Sequence, residues 1–213
     1  MEQASPFLEK FIRWYTKNAC MGIGAIIPDV VAPVSYCAVK DGLAIATEKN
    51  FLAAVEQIKR FPRAALVFGN CAYAFPGAAE IEHRYKTEIL QREHIAPERI
   101  LEFAGLIKNS ISEARSAGAV LKKNKIIPKN ILVITGEMHA PSARLIWSMV
   151  FPDANIFTIC TSYRYEAQTD HPLAAQRSYA RWLMENVLRH AVIAAFGGFI
   201  SGWFRHWREK NYD

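Results

Sequence analysis

The chain has 213 residues, of which 51% are hydrophobic and 22% are charged, a balance typical of globular proteins and not of disordered or fibrous ones. Its net charge of +6 comes from lysines and arginines spread along the whole chain, which argues against a nucleic-acid-binding protein. No window reaches the roughly 18 uncharged apolar residues that a membrane-spanning helix needs, and Glu2, Glu9 and Lys10 interrupt any apolar run typical of a secretory signal.

The four cysteines, Cys20, Cys37, Cys71 and Cys160, share no CxxC or metal-ligand spacing. Cys37 and Cys160 lie in apolar, strand-like runs, where a free cysteine behaves as a small hydrophobic residue. We therefore predict reduced thiols, no disulfide framework, no metal site and a cytoplasmic location.

In chain order, the first predicted element is an amphipathic helix over residues 5–18, because Ser5-Pro6 is a typical helix start and apolar residues follow at helical spacing. Residues 20–33 are predicted to connect this helix to a first strand at residues 34–39. Thr47 is predicted to cap the next helix, which has an apolar face and ends before Pro62.

The middle of the chain predicts a strand at 64–68, a helix at 77–93, a strand at 100–103 and a helix that is capped by Ser110 or Ser112. The uniformly apolar run at 131–134 is typical of a strand buried on both faces of a parallel sheet. A helix with apolar residues at 145, 146, 149 and 150 follows, then a fifth strand at 155–160. The last helix is predicted to begin near Leu173 and to continue into an uncharged run at 191–204.

Strands that alternate with helices indicate βαβ units. We therefore predict an α/β protein with a three-layer αβα, Rossmann-like fold, a mostly parallel sheet of about five strands, and extra N- and C-terminal helices. All 213 residues are assigned to a single domain: an N-terminal helix and connector (1–30), an αβα core (31–190) and a C-terminal apolar helix with a basic tail (191–213).

Polar residues follow each predicted strand, at the sheet edge where ligands bind in such folds. His139 is the best candidate for acid–base chemistry, because its ordinary pKa lies near neutrality, and Glu137 is a candidate to orient it. The alternative is that His139 only hydrogen-bonds its own turn. Ser110 and Thr135 are weaker candidates for a nucleophile, since neither lies in a G-x-S-x-G elbow. The chain has no G-x-G-x-x-G and no P-loop lysine motif.

Several segments resemble a known family in the same order along the chain. They are LVFGN with AAEIE (66–70 and 78–82), HIAPERIL (94–101), KNSISEA (108–114) and LVITGEMHAPSA (132–143). Over about residues 30–190 the chain resembles the YdcF/SanA/ElyC-type domain family, which has a Rossmann-like fold and largely unknown function. The resemblance implies ligand-binding roles for Asn70, Glu80, Asn109, Ser110, Glu113, Thr135 and Arg144.

The chain departs from the family at three positions. Ser142 stands where the family has an arginine three residues after the histidine, and Arg144 lies two places further on. Asn70 replaces the second glycine of a strand exit, and Asn50 stands where the first helix usually carries an arginine. These changes remove positive charge from the predicted pocket.

The resemblance implies a small nucleotide-like ligand, because YdcF-like proteins are associated with S-adenosylmethionine binding, and it leaves open whether the protein is an enzyme. The alternative is a peripheral membrane-associated factor of envelope biogenesis that acts through residues 5–18 and 191–208 at the inner membrane. Tryptophan and arginine around an apolar face suit such a helix. The favoured interpretation of the same segments is that the two terminal helices pack together, against the core, or form a homodimer seam. A weaker hypothesis is hydrolysis of a phosphate or glycosyl bond, with Asp41 and Glu137 as carboxylates.

Overall fold

The protein has a five-stranded parallel sheet, as the alternation of strands and helices predicts. The computed structural model describes residues 6–17, 19–20, 24, 26–71, 75–107, 109–161 and 181–196. The strands of the sheet are β1 (Val30–Pro33), β2 (Ala65–Cys71), β3 (Ile100–Ile107), β4 (Asn130–Gly136) and β5 (Asn155–Thr161). They lie in the order β3-β2-β1-β4-β5, and each neighbouring pair is parallel. The predicted Rossmann-like α/β fold is confirmed.

Helices cover both faces of this sheet. They are α1 (Pro6–Thr16), α2 (Ile45–Arg60), α3 (Ala78–Arg92), α4 (Ser110–Lys123), α5 (Ala140–Val150) and α6 (181–196), with a 3₁₀ turn at Pro97–Arg99. Helices α2 and α3 share a core with one face of the sheet, whereas α4, α5 and α6 share a core with the other. The three layers predicted from the sequence are therefore present.

Successive strand residues alternate between these two cores, because side chains along a strand point to opposite faces. In β1, Val30 belongs to the core under α4 and α5, and Val31 to the core under α2 and α3. In β4, Ile131 and Val133 take the first face while Leu132 takes the second. Both faces are buried, which is why the run at 131–134 is apolar throughout.

The first strand lies earlier than predicted. It spans Val30–Pro33, and residues 34–37 follow it without regular structure. The proline closes the strand, beyond the last residue that β1 pairs with β2. Residues 38–39, predicted to end the first strand, instead form a small antiparallel hairpin with Gly42–Leu43.

Two helix starts also differ from prediction. Thr47 is not a cap: α2 begins at Ile45, and the buried Thr47 hydroxyl donates to Cys37 O at 2.8 Å and accepts from Tyr36 N at 2.8 Å. Helix α4 is capped by Asn109 and not by a serine, since Asn109 Oδ1 accepts from Ser112 N at 2.9 Å. Ser112 Oγ accepts in return from Asn109 N at 3.0 Å, which completes a capping box.

The prediction of reduced thiols is wrong, because the four cysteines form two disulfides. Cys20 pairs with Cys160 and ties the segment before β1 to β5, 140 residues away. Cys37 pairs with Cys71 and ties the loop after β1 to the end of β2. Cysteine positions within apolar runs do not reveal that the strands bring them together in pairs.

The terminal helices lie against the same face of the sheet as α4 and α5. Trp182 and Leu183 of α6 are buried, and Tyr15 of α1 donates a hydrogen bond to Asn186 O at 3.3 Å. Within the described ranges, no helix has the length and apolar character needed to cross a bilayer. The predicted start of the last helix near residue 173, and residues 197–208 of its apolar end, lie outside the described residues.

Candidate active site

The carboxyl ends of β1 and β4 are neighbours at the point where the strand order reverses, which is where ligands bind in sheets of this type. Tyr36 follows β1, Thr135 lies near the end of β4, and His139 lies in the turn after it. The hydroxyl oxygens of Tyr36 and Thr135 are 3.0 Å apart. The Tyr36 and His139 rings meet edge to face, with their centroids 5.8 Å apart. The topology thus gathers polar groups from two distant segments.

His139 links a serine to an asparagine through its two ring nitrogens. Its Nε2 is 3.0 Å from Ser110 Oγ, at the first residue of α4, and its Nδ1 is 3.0 Å from Asn186 Oδ1 on α6. His139 is 1% exposed and Asn186 is 1% exposed, whereas Ser110 is only partly buried. A base between a hydroxyl and an orienting side chain is the arrangement that activates a nucleophile.

The hydrogen bonds around the ring assign its tautomer. Asn186 Nδ2 donates to Trp182 O at 2.8 Å, so its Oδ1 faces the histidine as an acceptor. Ser142 Oγ donates to the backbone oxygen of His139 at 3.0 Å, which leaves its oxygen 3.0 Å from Nδ1 as a second acceptor. Both acceptors call for a proton on Nδ1. The lone pair of Nε2 therefore points at Ser110 Oγ, ready to accept its proton.

The environment keeps this imidazole neutral. Burial and, to a smaller extent, the positive charge of Arg189 together lower the pKa of His139 from its ordinary 6.5 to about 4, although the hydrogen bond with Asn186 acts in the opposite direction. A histidine that is neutral at physiological pH has its Nε2 lone pair free to act as a base.

A second polar cluster, which we call the carboxyl cluster, consists of Ser35, Glu82, Lys86 and Glu113. Ser35 lies between the two acids: its N–H donates to Glu113 Oε1 at 2.9 Å, and its hydroxyl donates to Glu82 Oε1 at 2.7 Å. Lys86 Nζ is 2.6 Å from Glu82 Oε2, and their side chains are 2% and 0% exposed. The cluster therefore contains a fully buried ion pair one helical turn apart on α3.

Glu113 in this cluster holds a proton near neutral pH. Burial raises the pKa of Glu113 from its ordinary 4.5 to about 8, against the lowering effects of the Ser35 N–H and of Lys86, while Glu82 adds to the rise. The cluster thus combines the Lys86–Glu82 ion pair with one neutral acid, Glu113.

Two of the departures from the family pattern place polar groups in these networks. Asn50 is buried, donates to Val34 O at 2.8 Å and accepts from Thr161 Oγ1 at 2.6 Å. Ser142 is 0% exposed and contacts His139 as described above. Short polar side chains here hold the loop ends after β1 and β4 without a buried charge.

The predicted site residues occupy different surroundings. Ser110 contacts His139, and Thr135 is linked to His139 through Tyr36, which contacts both. Glu113 lies in the carboxyl cluster, where Asn70 Oδ1 also contacts Lys86 Nζ at 3.3 Å. Asn109 is exposed and caps α4.

Three other predicted residues lie at the margins. Glu137 is half-buried, and burial raises its pKa. Arg144 is half-buried on α5. Glu80 is exposed on α3, and the buried acid of that segment is Glu82.

Four important residues were not identified from sequence: Ser35, Lys86, Asn186 and Ser142 as a partner of His139. The i,i+4 spacing of Glu82 and Lys86 was a usable signal for an ion pair on one helix face. Asn186, in contrast, lies 47 residues after His139 in a helix with no local motif.

Comparison of the chain with protein-family models, curated proteins and solved structures finds no match. The resemblance to the YdcF/SanA/ElyC-type family therefore stays a prediction from the quoted motifs.

Proposed function

We propose that this protein is a small-molecule enzyme in which Ser110, activated by His139, attacks an ester of a nucleotide-like ligand at the carboxyl edge of the sheet. The observation that supports this best is the hydrogen-bonded series from Ser110 Oγ through His139 to Asn186 Oδ1. Its geometry matches a nucleophile, a base and an orienting group in their usual roles.

In the proposed reaction, Ser110 Oγ forms a bond to the carbonyl or phosphoryl centre while its proton passes to His139 Nε2. The leaving group departs with that proton. A water molecule then bonds to the same centre while its proton passes to His139 Nε2, and Ser110 Oγ leaves with that proton, which releases the product. Asn186 holds the ring with Nδ1 as donor, and is a positioning residue since it acts through His139.

The position of Ser110 suits the charge that such a reaction develops. It is the first residue of α4, a helix of 14 residues, where the helix dipole favours a negative charge and the backbone N–H groups of the first turn point outward. An oxyanion formed beside Ser110 Oγ would lie close to these donors.

The class of ligand comes from the family resemblance and not from the geometry. It implies a nucleotide-like molecule. S-adenosylmethionine, which contains no ester, is the first compound to test for binding, whereas the substrate of the proposed cleavage is a nucleotide-like ester. Asn109 and Ser110 are the predicted binding residues that reach the surface here, whereas Thr135 and Glu113 are buried behind them.

A fluorophosphonate probe tests the nucleophile directly. Ser110 Oγ would bond to phosphorus as fluoride leaves, with the serine proton taken by His139. We expect labelling at Ser110, no labelling in Ser110→Ala, and at least about 100-fold slower labelling in His139→Ala, the usual contribution of a general base. Asn186→Asp should keep more of the rate than Asn186→Ala, because a carboxylate retains the acceptor.

Ser112→Ala is the matched control. It removes a hydroxyl from the same first turn of α4 and weakens the capping box without touching His139. Equal loss of labelling in Ser112→Ala and Ser110→Ala, or labelling of wild type that is independent of His139, would contradict the proposed nucleophile.

A thermal-shift screen tests the ligand class. Adenosyl compounds, nucleoside phosphates and sugar phosphates that bind the folded state should raise the melting temperature of Ser110→Ala, in which any ester among them stays intact. Absence of a shift at millimolar adenosyl ligand would refute binding of S-adenosylmethionine.

A second candidate function is peripheral membrane association through the terminal helices, with homodimerisation as its alternative. The observation that favours either is a set of large apolar side chains left exposed: Trp14 at 71%, Met184 at 69%, Leu188 at 67% and Phe196 at 59%. Residues 184, 188 and 196 recur at four-residue multiples on α6, so they share one side of it.

Liposome flotation combined with sedimentation analysis distinguishes these two. If α6 contacts lipid, Leu188→Glu reduces flotation of a protein that sediments as a monomer; if it forms a dimer seam, the same change converts a dimer into a monomer. Wild type that neither floats nor dimerises would eliminate both.

The predicted cytoplasmic location is disfavoured by the two disulfides, because such bonds persist mainly in oxidising compartments. Thiol alkylation of protein taken directly from cells tests this. Four unmodified cysteines per chain would support an oxidising compartment, and four alkylated ones the cytoplasm.

A further inference from the structure

Cys37, Cys71 and Glu82 bring together two sulfur atoms and a carboxylate at one buried point beside the carboxyl cluster. Their ligand atoms all lie within 4.8 Å of one another, and all three residues are 0% exposed. Elsewhere in the described part of the chain, no comparable group of histidine, cysteine, aspartate and glutamate side chains is found. We infer that the protein is a redox-dependent metal-binding protein, which binds a zinc-type divalent ion through Cys37, Cys71 and Glu82 when the disulfide is reduced.

The chemistry of the three groups favours this class of metal. Thiolate and carboxylate together suit Zn²⁺, whereas an all-oxygen set would suit Mg²⁺ or Ca²⁺. Three protein ligands leave the fourth tetrahedral position for water or substrate, as in catalytic zinc sites. Cys37 and Cys71 are 34 positions apart, and Cys71 and Glu82 are 11 apart. No short sequence motif therefore predicts this set.

Glu82 retains the capacity to bind an ion. Its Oε2 accepts from Lys86 Nζ at 2.6 Å and from Cys71 N at 3.2 Å, and the Ser35 hydroxyl is 2.7 Å from Oε1 and 2.9 Å from Oε2. A carboxylate offers about four acceptor positions, so Oε1 keeps a lone pair beyond its described donor.

The charges balance in both redox states, as a buried site requires. With the disulfide closed, the Glu82 carboxylate is neutralised by Lys86. With the metal bound, two thiolates and the carboxylate carry three negative charges, and Zn²⁺ with the Lys86 ammonium carries three positive charges.

The conversion needs a dithiol reductant. The reductant supplies two electrons and two protons, its own sulfurs become a disulfide, and the Cys37–Cys71 bond becomes two thiols. Zn²⁺ then replaces both thiol protons, which pass to solvent. Metal binding would in turn act on Ser35, whose hydroxyl contacts Glu82 and whose N–H contacts Glu113.

Cobalt titration of the full chain tests the site, with Co²⁺ as a spectroscopic substitute for Zn²⁺. After reduction by a dithiol and removal of the reductant without air, we expect one Co²⁺ per chain with thiolate-to-cobalt charge-transfer bands, displaced by equimolar Zn²⁺. In weak buffer, Zn²⁺ binding should release two protons per ion. The oxidised protein, which has the same residues and fold, should give no such bands.

Variants then assign the ligands. Cys71→Ser should abolish the charge-transfer bands, and Glu82→Gln should weaken Co²⁺ binding at least tenfold while the bands persist. The double variant Cys20→Ser/Cys160→Ser is the control, since it removes the other disulfide and should bind as wild type does. Circular dichroism of each reduced variant verifies folding, and the comparison of oxidised with reduced wild type stands even if a variant does not fold.

Three results would overturn the inference. They are reduced wild type without thiolate bands, binding that is equal in oxidised and reduced protein, and binding that Glu82→Gln leaves unchanged. None of them affects the labelling of Ser110, so failure of this inference is distinguishable from failure of the proposed function.

Discussion

Replacement of the buried acid Glu113 by glutamine should change how the stability of the protein depends on pH. The pKa of Glu113 is raised from 4.5 to about 8 in the folded state, mainly by burial. Between these values the unfolded chain has released the proton while the folded chain retains it. The free energy of unfolding therefore falls as pH rises through this window, and the fall is complete above pH 8.

His139 has the opposite effect at lower pH. The pKa of His139 is lowered from 6.5 to about 4 in the folded state. Between these values the unfolded chain binds a proton that the folded chain does not, so the free energy of unfolding rises with pH up to about 6.5. Between pH 4.5 and 6.5 the two effects nearly cancel. From pH 6.5 to 8 the Glu113 effect remains, at about 1.4 kcal/mol per pH unit, or about 2 kcal/mol in total.

Urea unfolding at a series of pH values from 5 to 9 measures this difference. The substituted amide can still accept the Ser35 N–H bond, so Glu113→Gln isolates the ionisation. The free energy of unfolding of the variant relative to wild type should rise by about 2 kcal/mol between pH 6.5 and 8, and contributions shared by both proteins, such as that of Glu137, cancel. Parallel pH profiles would show that Glu113 is already ionised in the folded state and would refute the reasoning.

Three further changes test the packing around the site. Lys86→Met leaves the Glu82 carboxylate buried without its ammonium partner and should lower the free energy of unfolding, measured in urea, by about 3–5 kcal/mol. Adding Glu82→Leu should recover part of this loss. A Lys86→Met variant as stable as wild type would contradict the ion pair. Gly69→Ala would place a methyl group against the Phe103 ring, so a loss of about 1–3 kcal/mol is expected in thermal unfolding, and no loss would mean that the ring moves freely aside. Asn109→Ala removes the cap of α4 and should cost about 1 kcal/mol in the same assay, whereas Asn109→Asp should cost little; equal losses would contradict the capping role.

The fold class was accessible from the sequence because its signals are local. An apolar run such as 131–134, followed by a polar turn and by apolar residues at helical spacing, predicts a buried parallel strand and the helix after it. The order of these units predicted the sheet, and the polar residues at the strand ends predicted His139, Ser110 and Thr135 as members of one edge. The sequence pattern is wrong about some element boundaries: it places Val34 in the first strand, whereas that strand ends at Pro33.

The partners of His139 were not accessible in this way. Hydrophobic periodicity fixes which face of α6 is buried, but nothing in it indicates that Asn186 meets a ring nitrogen 47 residues earlier. The same holds for the disulfides, where Cys20 and Cys160 become neighbours through packing across 140 residues.

Sequence alone therefore determined the alternation of strands and helices and the buried runs, because propensity and periodicity act between near neighbours. Tertiary structure decided the strand order, the tautomer and neutral state of His139, the proton on Glu113 and the convergence of Cys37, Cys71 and Glu82. These properties depend on burial and on contacts between distant segments, and both arise when the sheet edge is assembled.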